Sequence, residues 1–465
     1  MSPLPKGWAT AHLGDVVEVV RGASPRPKGD PRYFGGPIPW ISIGDLGREP
    51  ARTLSKTVEG LTTAGAQKSR LLPAGSLILS NSATVGIPKI LAVDGCIHDG
   101  FVAFPNLDRR LFLTEFLYEF FRHIRTRLLD ANRRGMTQIN LNTTIVRNIE
   151  VVIPPLAEQR RIVARLDTLL AHSGAARASL ERVHEMLGRL RRTVLAAAFR
   201  GDLTADWRAR RGPDSVWNAA NAAALELPGS RSPQLDEPAD DGVEQARWPH
   251  RQLPRGWCWV PFELVFSDET SGDKKLKQED YLERGAFPVI DQGAAEVGGY
   301  SDDSTLVYDG ALPVVLFGDH TRCVKLLSRP FIQGAEGVKV LRPSHLVEPG
   351  YASFLLRAIS IPERSYGRHF KFLKPAWFPL APSAEQLEIV SRLQAARAQE
   401  DALAARAGRQ LDNLLLLESS ILARAFRGEL VPQDPDDPPV STLLERLRAE
   451  RDSKSTRNRP SRRAP

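Results

Sequence analysis

Cysteine is scarce in this sequence, which has three among its 465 residues, at Cys96, Cys258 and Cys323. They lie far apart and form no Cys-x-x-Cys pair, so neither a disulfide framework nor a zinc site follows. This usage fits a reducing cytosol, and we expect a cytoplasmic protein. Long apolar runs are lacking too. No stretch approaches the ~18 residues that span a bilayer, and the N-terminal residues lack the hydrophobic segment of a signal peptide.

The motifs of the common catalytic folds are also lacking. The sequence has no Gly-x-x-x-x-Gly-Lys-Ser/Thr loop, no Gly-x-Ser-x-Gly elbow and no His-Glu-x-x-His motif. His98 and His320 are single histidines without partner residues in sequence. We therefore predict that the chain has no catalytic residues, no metal site and no cofactor of its own.

Two segments recur along the chain without any change of length. Ala157–Leu166 returns as Ala384–Leu393, and Ala198–Gly201 returns as Ala425–Gly428, both at an offset of 227 residues. Prolines stand upstream of each copy and a glycine follows each end, which is typical of helix boundaries. Because loops drift in length and a structural helix does not, each copy is predicted to be one long helix.

Apolar residues in both predicted helices recur in alternating steps of four and three, which is a heptad seam. A lone helix with one apolar stripe is unstable, so the two helices are predicted to bury their seams on each other. The seam positions on which this pairing depends are Ile162, Leu166, Leu169, Leu180, Leu187, Ile389, Leu393, Leu414 and Ile421.

Leu4-Pro-Lys-Gly-Trp8 returns as Leu253-Pro-Arg-Gly-Trp257 at a different offset, 249 residues. The chain is therefore a tandem duplication in which a divergent head precedes each long helix.

Short β-type runs broken by glycine and proline, with one amphipathic helix each, predict the α+β class for both heads. The predicted domains are a first head at 1–155, a first long helix at 156–207, a linker at 208–252, a second head at 253–382, a second long helix at 383–432, and a flexible basic tail at 433–465 in which Leu443, Leu444 and Leu447 suggest a short helix.

These segments together resemble the DNA specificity subunit of type I restriction–modification systems. The resemblance covers residues 1–432 and is most specific at Pro154–Gln159 and Ala198–Gly201, both of which return in the second half, the former in a degenerate version. It implies a tandem pseudo-repeat, in which two α/β target-recognition domains are separated by two long helices forming an antiparallel coiled coil.

The resemblance also implies a function. Each domain would read one half of a bipartite target in double-stranded DNA, and the chain would direct two methyltransferase subunits and, where present, restriction subunits to it. Adenine-N6 methylation and ATP-dependent cleavage would belong to those partners, which would bind S-adenosylmethionine, ATP and magnesium. The alternative is a helical adaptor or scaffold of a DNA-modification complex that reads no sequence. The duplicated helices alone fit that role, whereas divergent, basic heads fit a reader better.

Base reading requires hydrogen-bonding side chains on loops held by a rigid body. A formal charge of +8 favours a polyanionic partner, although many soluble proteins are basic. Each head has a donor-rich loop just before its return to the long helix, and loops 80–86 and 317–322 form a second candidate pair. A solvated surface charge remains an equally good interpretation of any single residue. The candidate DNA contacts are Arg133, Arg134, Thr137, Gln138, Asn140, Arg364, Tyr366, Arg368, His369 and Lys371.

Overall fold

The chain is seen here in a computed structural model. The structure describes residues 4–48, 51–81, 84–133, 141–212, 215–225, 246–250, 252–335, 337–362 and 367–457, without the side chains of 130–133, 217, 221, 224–225 and 451–457. The chain divides into two compact units, Met1–Leu180 with Arg409–Pro465, and Glu181–Gly408. Both units mix helices and strands, which confirms the predicted α+β class.

The first unit contains two sheets and one two-stranded ribbon. Its strands are β1 (Ala9–His12), β2 (Val20–Arg21), β3 (Phe34–Ile41), β4 (Thr53–Leu54), β5 (Glu59–Leu61), β6 (Arg70–Leu72), β7 (Leu77–Ser80), β8 (Pro88–Leu91), β9 (Gly95–Ile97), β10 (Phe101–Phe104) and β11 (Glu150–Ile153). Its shorter helices are α1 (Leu13–Val16), α2 (Thr63–Gln67), α3 (Thr114–Arg133) and α4 (Thr143–Arg147). The sheet orders are β2-β10-β7-β8-β4 and β5-β3-β9-β6, and β1 pairs with β11.

Helix α3 covers the five-stranded sheet because its apolar residues share one face. Phe116 and Phe121 are fully buried in the core of the first unit, and the Phe121 ring stacks on Phe104 of β10 at 5.1 Å between centroids. After β11 the chain enters helix α5 (Leu156–Arg200), which begins in the first unit and continues into the second. It ends at Gly201, whose φ of 81° is the left-handed conformation that favours glycine.

The second unit repeats the strand order of the first. Its strands are β12 (Cys258–Pro261), β13 (Phe266–Asp268), β14 (Phe287–Ile290), β15 (Gly299–Ser301), β16 (Val314–Gly318), β17 (Val324–Leu327), β18 (Ile332–Gln333), β19 (Val338–Pro343) and β20 (Trp377–Leu380). Its sheet β13-β19-β16-β17 matches β2-β10-β7-β8, its ribbon of β12 and β20 matches β1 and β11, and its parallel pair β14 and β18 matches β3 and β9. The two heads are therefore copies of one fold.

The second unit also holds five short helices and most of one long helix. The short helices are α6 (Ala205–Arg211), α7 (Trp217–Leu225), α8 (Phe262–Val265), α9 (Pro349–Ala358) and α10 (Phe370–Leu373). In this unit 3₁₀ turns lie at Asp202–Thr204, Gln278–Asp280 and Ser304–Leu306, and in the first unit one lies at Ile43–Gly47. Helix α11 (Ser383–Phe426) begins in the second unit and ends in the first, where α12 (Val440–Arg457) follows it.

Segments of α5 and α11 pack together inside each unit, and they run antiparallel. In the first unit Arg177 bonds Glu418 at 3.2 Å, while Arg161 bonds Asp437 beyond the end of α11 at 2.6 Å. In the second unit Arg191 bonds Glu400 at 2.9 Å. Residue numbers thus rise along one helix as they fall along the other, and the predicted antiparallel pairing is confirmed.

The predicted seam residues lie on the inner side of this pair. None of the nine is exposed, and the fully covered members are those nearest the heads: Ile162, Leu166, Ile389 and Leu393. Polar residues also occupy the seam. Ser173 is buried and donates to Glu418 at 2.6 Å. The seam therefore combines apolar packing near the heads with polar contacts farther along.

The short helix suggested by Leu443, Leu444 and Leu447 is present as part of α12, so this part of 433–465 is not the flexible tail that we predicted. Val440 and Leu444 are buried in the core of the first unit, and the N–H of Val440 donates to the carbonyl of Gly7 at 3.0 Å. Their burial holds the start of this helix, which outweighs the charged residues that suggested disorder. Helix α7 in the second unit is held in the same way, since Val216 before it donates to the carbonyl of Gly256 at 3.2 Å.

The repeated Glu-Gln pair makes the same contacts twice. Gln159 donates to the carbonyls of Leu111 and Pro154 at 2.8 and 2.9 Å and accepts from the N–H of Leu113 at 3.0 Å. Glu158 accepts from the indole N–H of Trp8 at 2.9 Å.

In the second unit, Gln386 bonds the carbonyls of Leu346 and Ala381 and the N–H of Glu348 at 2.7 to 2.9 Å. Trp257 donates to Glu385 at 2.8 Å. The repeated Glu-Gln residues therefore make the contacts that attach each head to its long helix.

Replacing each tryptophan by phenylalanine should separate these two attachments. Glu158 is buried and bonds only Trp8 among the described residues, whereas Glu385 also accepts from Thr204 and Arg208. We expect Trp8→Phe to lower the free energy of unfolding by ~1–3 kcal/mol, because it leaves a buried carboxylate without its donor. Trp257→Phe should cost less. Urea unfolding of both variants measures the difference, and equal losses would contradict this account.

Candidate nucleic-acid interface

Most of the predicted DNA contacts lie outside the described residues. Arg133 is the last residue of α3, but its side chain is not among those described. Arg368 and Lys371 are exposed, Lys371 on the short helix α10. Their assignment as DNA contacts stays a prediction. The predicted residues outside the described part of the chain are Arg134, Thr137, Gln138, Asn140, Arg364 and Tyr366.

His369 must be removed from the predicted contacts. Its side chain is 4 % exposed, and its Nδ1 bonds the carbonyl of Asp319 at 2.8 Å. The backbone N–H of His369 donates to the same carbonyl at 2.9 Å. His369 therefore has a structural role, since it bonds the residue that follows strand β16. Because its ring is buried, it cannot enter a groove of DNA.

Leu141 and His369 are held at matching places in the two units. After the first loop, the N–H of buried Leu141 donates to the carbonyl of Asn81, which follows strand β7, at 3.1 Å. After the second, His369 is bonded to Asp319, which follows strand β16. Strands β7 and β16 are equivalent in the two sheets. In each unit, Leu141 or His369 thus lies against the other candidate loop of its unit, at the carboxyl end of an inner strand.

In the first unit, polar side chains from three segments surround this point. Asn81 donates to the carbonyl of Asp99 at 3.3 Å, and Ser24 donates to its carboxylate at 2.7 Å. Arg21 donates to the same carbonyl at 3.2 Å, and Arg26 lies 3.8 Å from the carboxylate. We call these residues, with His98, the first polar cluster. Its arginines are exposed and its hydroxyl is partly exposed, and both are groups that contact phosphates and base edges. Asn81 is buried and holds the cluster together.

His98 and Asp99 have defined protonation states in this cluster. Partial burial lowers the pKa of His98 below its ordinary value, so the ring is neutral at pH 7. The N–H of Gly100 lies 2.8 Å from Nδ1 of His98, and the Asp99 carboxylate lies 3.1 Å from the same atom. Partial burial opposes ionisation of Asp99, but the hydroxyl of Ser24 and the His98 and Arg26 side chains outweigh it and lower its pKa. The cluster therefore presents one N–H donor and one carboxylate.

In the second unit an exposed turn occupies the equivalent place. His320, Thr321 and Arg322 follow buried Asp319, whose carboxylate accepts from the N–H of Phe370 at 2.7 Å. The Thr321 hydroxyl donates to the carbonyl of Gln292 at 2.6 Å. Arg322 has a φ of 58°, a conformation that costs a non-glycine residue about 1–2 kcal/mol. We call Asp319–Arg322 the second polar cluster.

Sequence reasoning missed most of the first polar cluster. Arg21, Ser24 and Asp99 come from segments about 75 residues apart, and no motif links them. A mixed set of polar residues in short loops is the ordinary composition of turns, so spacing alone gave no signal. Only the sheet topology brings them to one place.

The described residues show two further absences. No group of three or more His, Cys, Asp or Glu side chains there is arranged to hold a metal ion. No described helix is long and apolar enough to cross a membrane.

The comparisons with known proteins agree with this architecture. Residues 5–182 match the family model described as the type I restriction modification DNA specificity domain. The EcoDI specificity subunit of Escherichia coli is 24% identical, and the alignment covers 96% of each chain. The EcoKI specificity subunit of Escherichia coli K12 is 25% identical, again over 96% of each chain. Over nearly its whole length the chain is similar to specificity subunits of type I restriction–modification systems.

A solved structure supports the fold of this chain. It belongs to a study of the complex assembly and conformational transition of the type I R-M system, and it aligns with a TM-score of 0.65 at 20% identity. The alignment covers 92% of this chain and all of that one. The family model covers the first head and α5 as far as residue 182. The shared strand order extends the same architecture to the second unit.

Proposed function

We propose that this chain is the sequence-specific DNA-binding subunit of a type I restriction–modification complex and reads a bipartite target. One observation carries the proposal. Two units of the same topology present polar clusters of different composition at the same strand end, as expected if one scaffold serves two different half-sites. Residues that bind phosphate or bases on rigid supports are the usual means of such reading.

The same proposal assigns catalysis to other chains. Two methyltransferase subunits and, where present, restriction subunits would assemble with this one in the cytoplasm. Adenine-N6 methylation and ATP-dependent cleavage would then take place on those subunits, which would bind S-adenosylmethionine, ATP and magnesium. The chain itself would determine the site on double-stranded DNA at which the complex acts. The names of its relatives as specificity subunits support this division of labour.

An adaptor without sequence reading is the second candidate function, and the paired long helices favour it. A matched arginine test separates the two. Mapping methylated adenines in the source genome gives the target, and fluorescence anisotropy then measures binding to target and scrambled duplexes. An adaptor would bind both duplexes alike.

Arg133→Ala with Arg134→Ala should weaken DNA binding by the complete chain. If either residue contacts guanine with two hydrogen bonds, the loss is ~1–3 kcal/mol and discrimination relaxes in one half-site. If both contact phosphate only, all duplexes weaken together and the salt slope falls by about 1 per contact.

The matched control is Arg109→Ala with Arg110→Ala, which removes the same charge from the other end of α3, about 30 Å away. Equal effects of the two double variants would show a general charge effect and would remove Arg133 and Arg134 from the interface.

A further inference from the structure

One arginine occupies the same position in both units but has different neighbours. The contacts of the repeated glutamines align Leu113 with Glu348, which pairs α3 with α9 and places Arg122 opposite Arg357 in the alignment. The long helices align at their offset of 227 residues, which pairs Glu418 with Arg191.

In the first unit this arginine has two carboxylate neighbours. Arg122 donates to Glu119 at 2.9 Å and lies 3.9 Å from Glu418. Glu119 is fully buried and also accepts from Arg52 at 3.1 Å. The cation is therefore neutralised from within its own unit.

In the second unit both carboxylates are replaced. Phe354 stands where Glu119 does, and Arg191 stands where Glu418 does. Arg357 bonds the carbonyl of Val324 and lies 3.4 Å from the hydroxyl of Ser353, and no ion pair to it is found among the described residues. Desolvation of its guanidinium and the neighbouring charges of Arg397 and Arg191 lower the pKa of Arg357. Unlike Arg357, Arg191 is paired with Glu400 at 2.9 Å and Arg397 lies 3.8 Å from Asp401.

The same arginine lines a cavity of about 200 Å³. Four arginines reach this cavity and Glu400 is the only acid in its lining, while the rest of the wall is apolar. The lining arginines are Arg191, Arg192, Arg357 and Arg397, and the apolar wall is Val194, Leu195, Phe354, Leu393 and Ala396. In the first unit the corresponding cavity contains Arg122 together with Glu418. Both linings are basic, since the first also contains Lys89 and Arg125. They differ in that Arg122 has carboxylate partners, whereas Arg357 has none among the described residues.

We propose that the arginine cavity of the second unit binds the carboxylate of an acidic side chain, carried on an apolar segment of a partner subunit. Guanidinium groups pair strongly with carboxylates, and the apolar wall would pack the side-chain stem. A DNA phosphate fits less well, because it has no apolar stem to pack against Phe354, Leu195 and Leu393 in this wall. The identity of the partner, a methyltransferase subunit, rests on the proposed function; the different ion pairing of Arg122 and Arg357 does not.

The test uses the complete chain and its purified methyltransferase subunit. Arg357→Gln removes the cation, and Phe354→Glu supplies a carboxylate three residues before Arg357, as Glu119 stands before Arg122. We expect either change to weaken partner binding by about tenfold or more, because a desolvated charge pair is lost or pre-empted. Arg189→Gln is the matched control, an exposed arginine on the same helix as Arg191, and should change binding less than twofold by the small worth of surface charges.

Each outcome has a definite meaning. Phe354→Glu retains the arginine and its bond to Val324, so a loss with normal thermal unfolding cannot come from misfolding. Wild-type binding that neither variant alters overturns the inference alone. A wild-type chain that binds no methyltransferase subunit overturns it together with the proposed function. Loss of duplex affinity with unchanged partner binding would assign the cavity to phosphate and also overturn the inference.

Discussion

Gln386→Ala is expected to lower the melting temperature of the second unit by ~6–12 °C while the first unit melts as before. The side chain of Gln386 is completely buried and satisfies three backbone groups: the carbonyls of Leu346 and Ala381 and the N–H of Glu348. Alanine leaves all three without their partner in a space closed to bulk water. The cost is about 3 kcal/mol or more, since each unpaired buried group costs ~1–3 kcal/mol.

Two further variants make this result specific. Gln159→Ala should produce the same loss in the first unit, because Gln159 makes the equivalent three bonds. Gln394→Ala, on an exposed position of α11, should leave both transitions unchanged. Differential scanning calorimetry with each unit's transition assigned by its variant gives the measurement. If Gln386→Ala changed stability no more than Gln394→Ala, the glutamine contacts would not hold the head to the helix.

The long helices could be predicted because their signals are local. A heptad seam, upstream prolines and a following glycine all lie within or beside the segment they define. The structure adds the contacts between residues that are distant in sequence. Glu158 and Gln159 were visible as repeated letters, but their partners Trp8 and Leu111 lie 150 and 48 residues away. Their repetition indicated a shared role for these residues. Only the fold shows that they attach each head to its long helix.

The common fold of the two heads could not be predicted from identity. Equivalent strands such as β7 and β16 share buried apolar character but almost no letters, since a buried strand accepts many apolar residues. Their order in the sheet depends on pairings between distant segments, which a local pattern does not record. The polar clusters could not be predicted for the same reason, because that strand order brings their residues together.

The failed prediction for His369 has a similar cause. Its neighbours Arg364 and Lys371 are polar, so the sequence indicated an exposed loop. The structure places Phe370, Phe372 and Leu373 in the core, and His369 is drawn in beside them. A polar residue beside buried apolar residues can have a structural role instead of binding DNA. For His369, the buried hydrogen bond to the carbonyl of Asp319 shows the structural role.

Exchange of residues 4–155 for the first head of another specificity subunit should change one half of the DNA target and leave the other half intact. We expect this because the first polar cluster lies wholly within the exchanged segment, whereas the second belongs to the other unit. Sequencing of methylated adenines in cells that express the chimera with its methyltransferase subunit provides the measurement.

The core of the first unit sets a condition for this exchange. Leu166, Leu422, Phe426 and Val440 lie outside the exchanged segment but pack in its core. Phe426 contacts the rings of Phe116 and Phe120 at 5.2 and 5.6 Å between centroids. A donor head must therefore supply apolar residues at these two positions.

A donor head without those apolar residues should fail to fold with α11, at a cost of ~3–5 kcal/mol for each large aromatic side chain lost from the core. The matched control is a chimera from the same donor with Phe116 and Phe120 restored, which should recover both folding and methylation. Independent reading predicts that the recovered chimera methylates a hybrid target. A folded chimera that changed both halves of the target, or neither, would show that the two units do not read DNA separately.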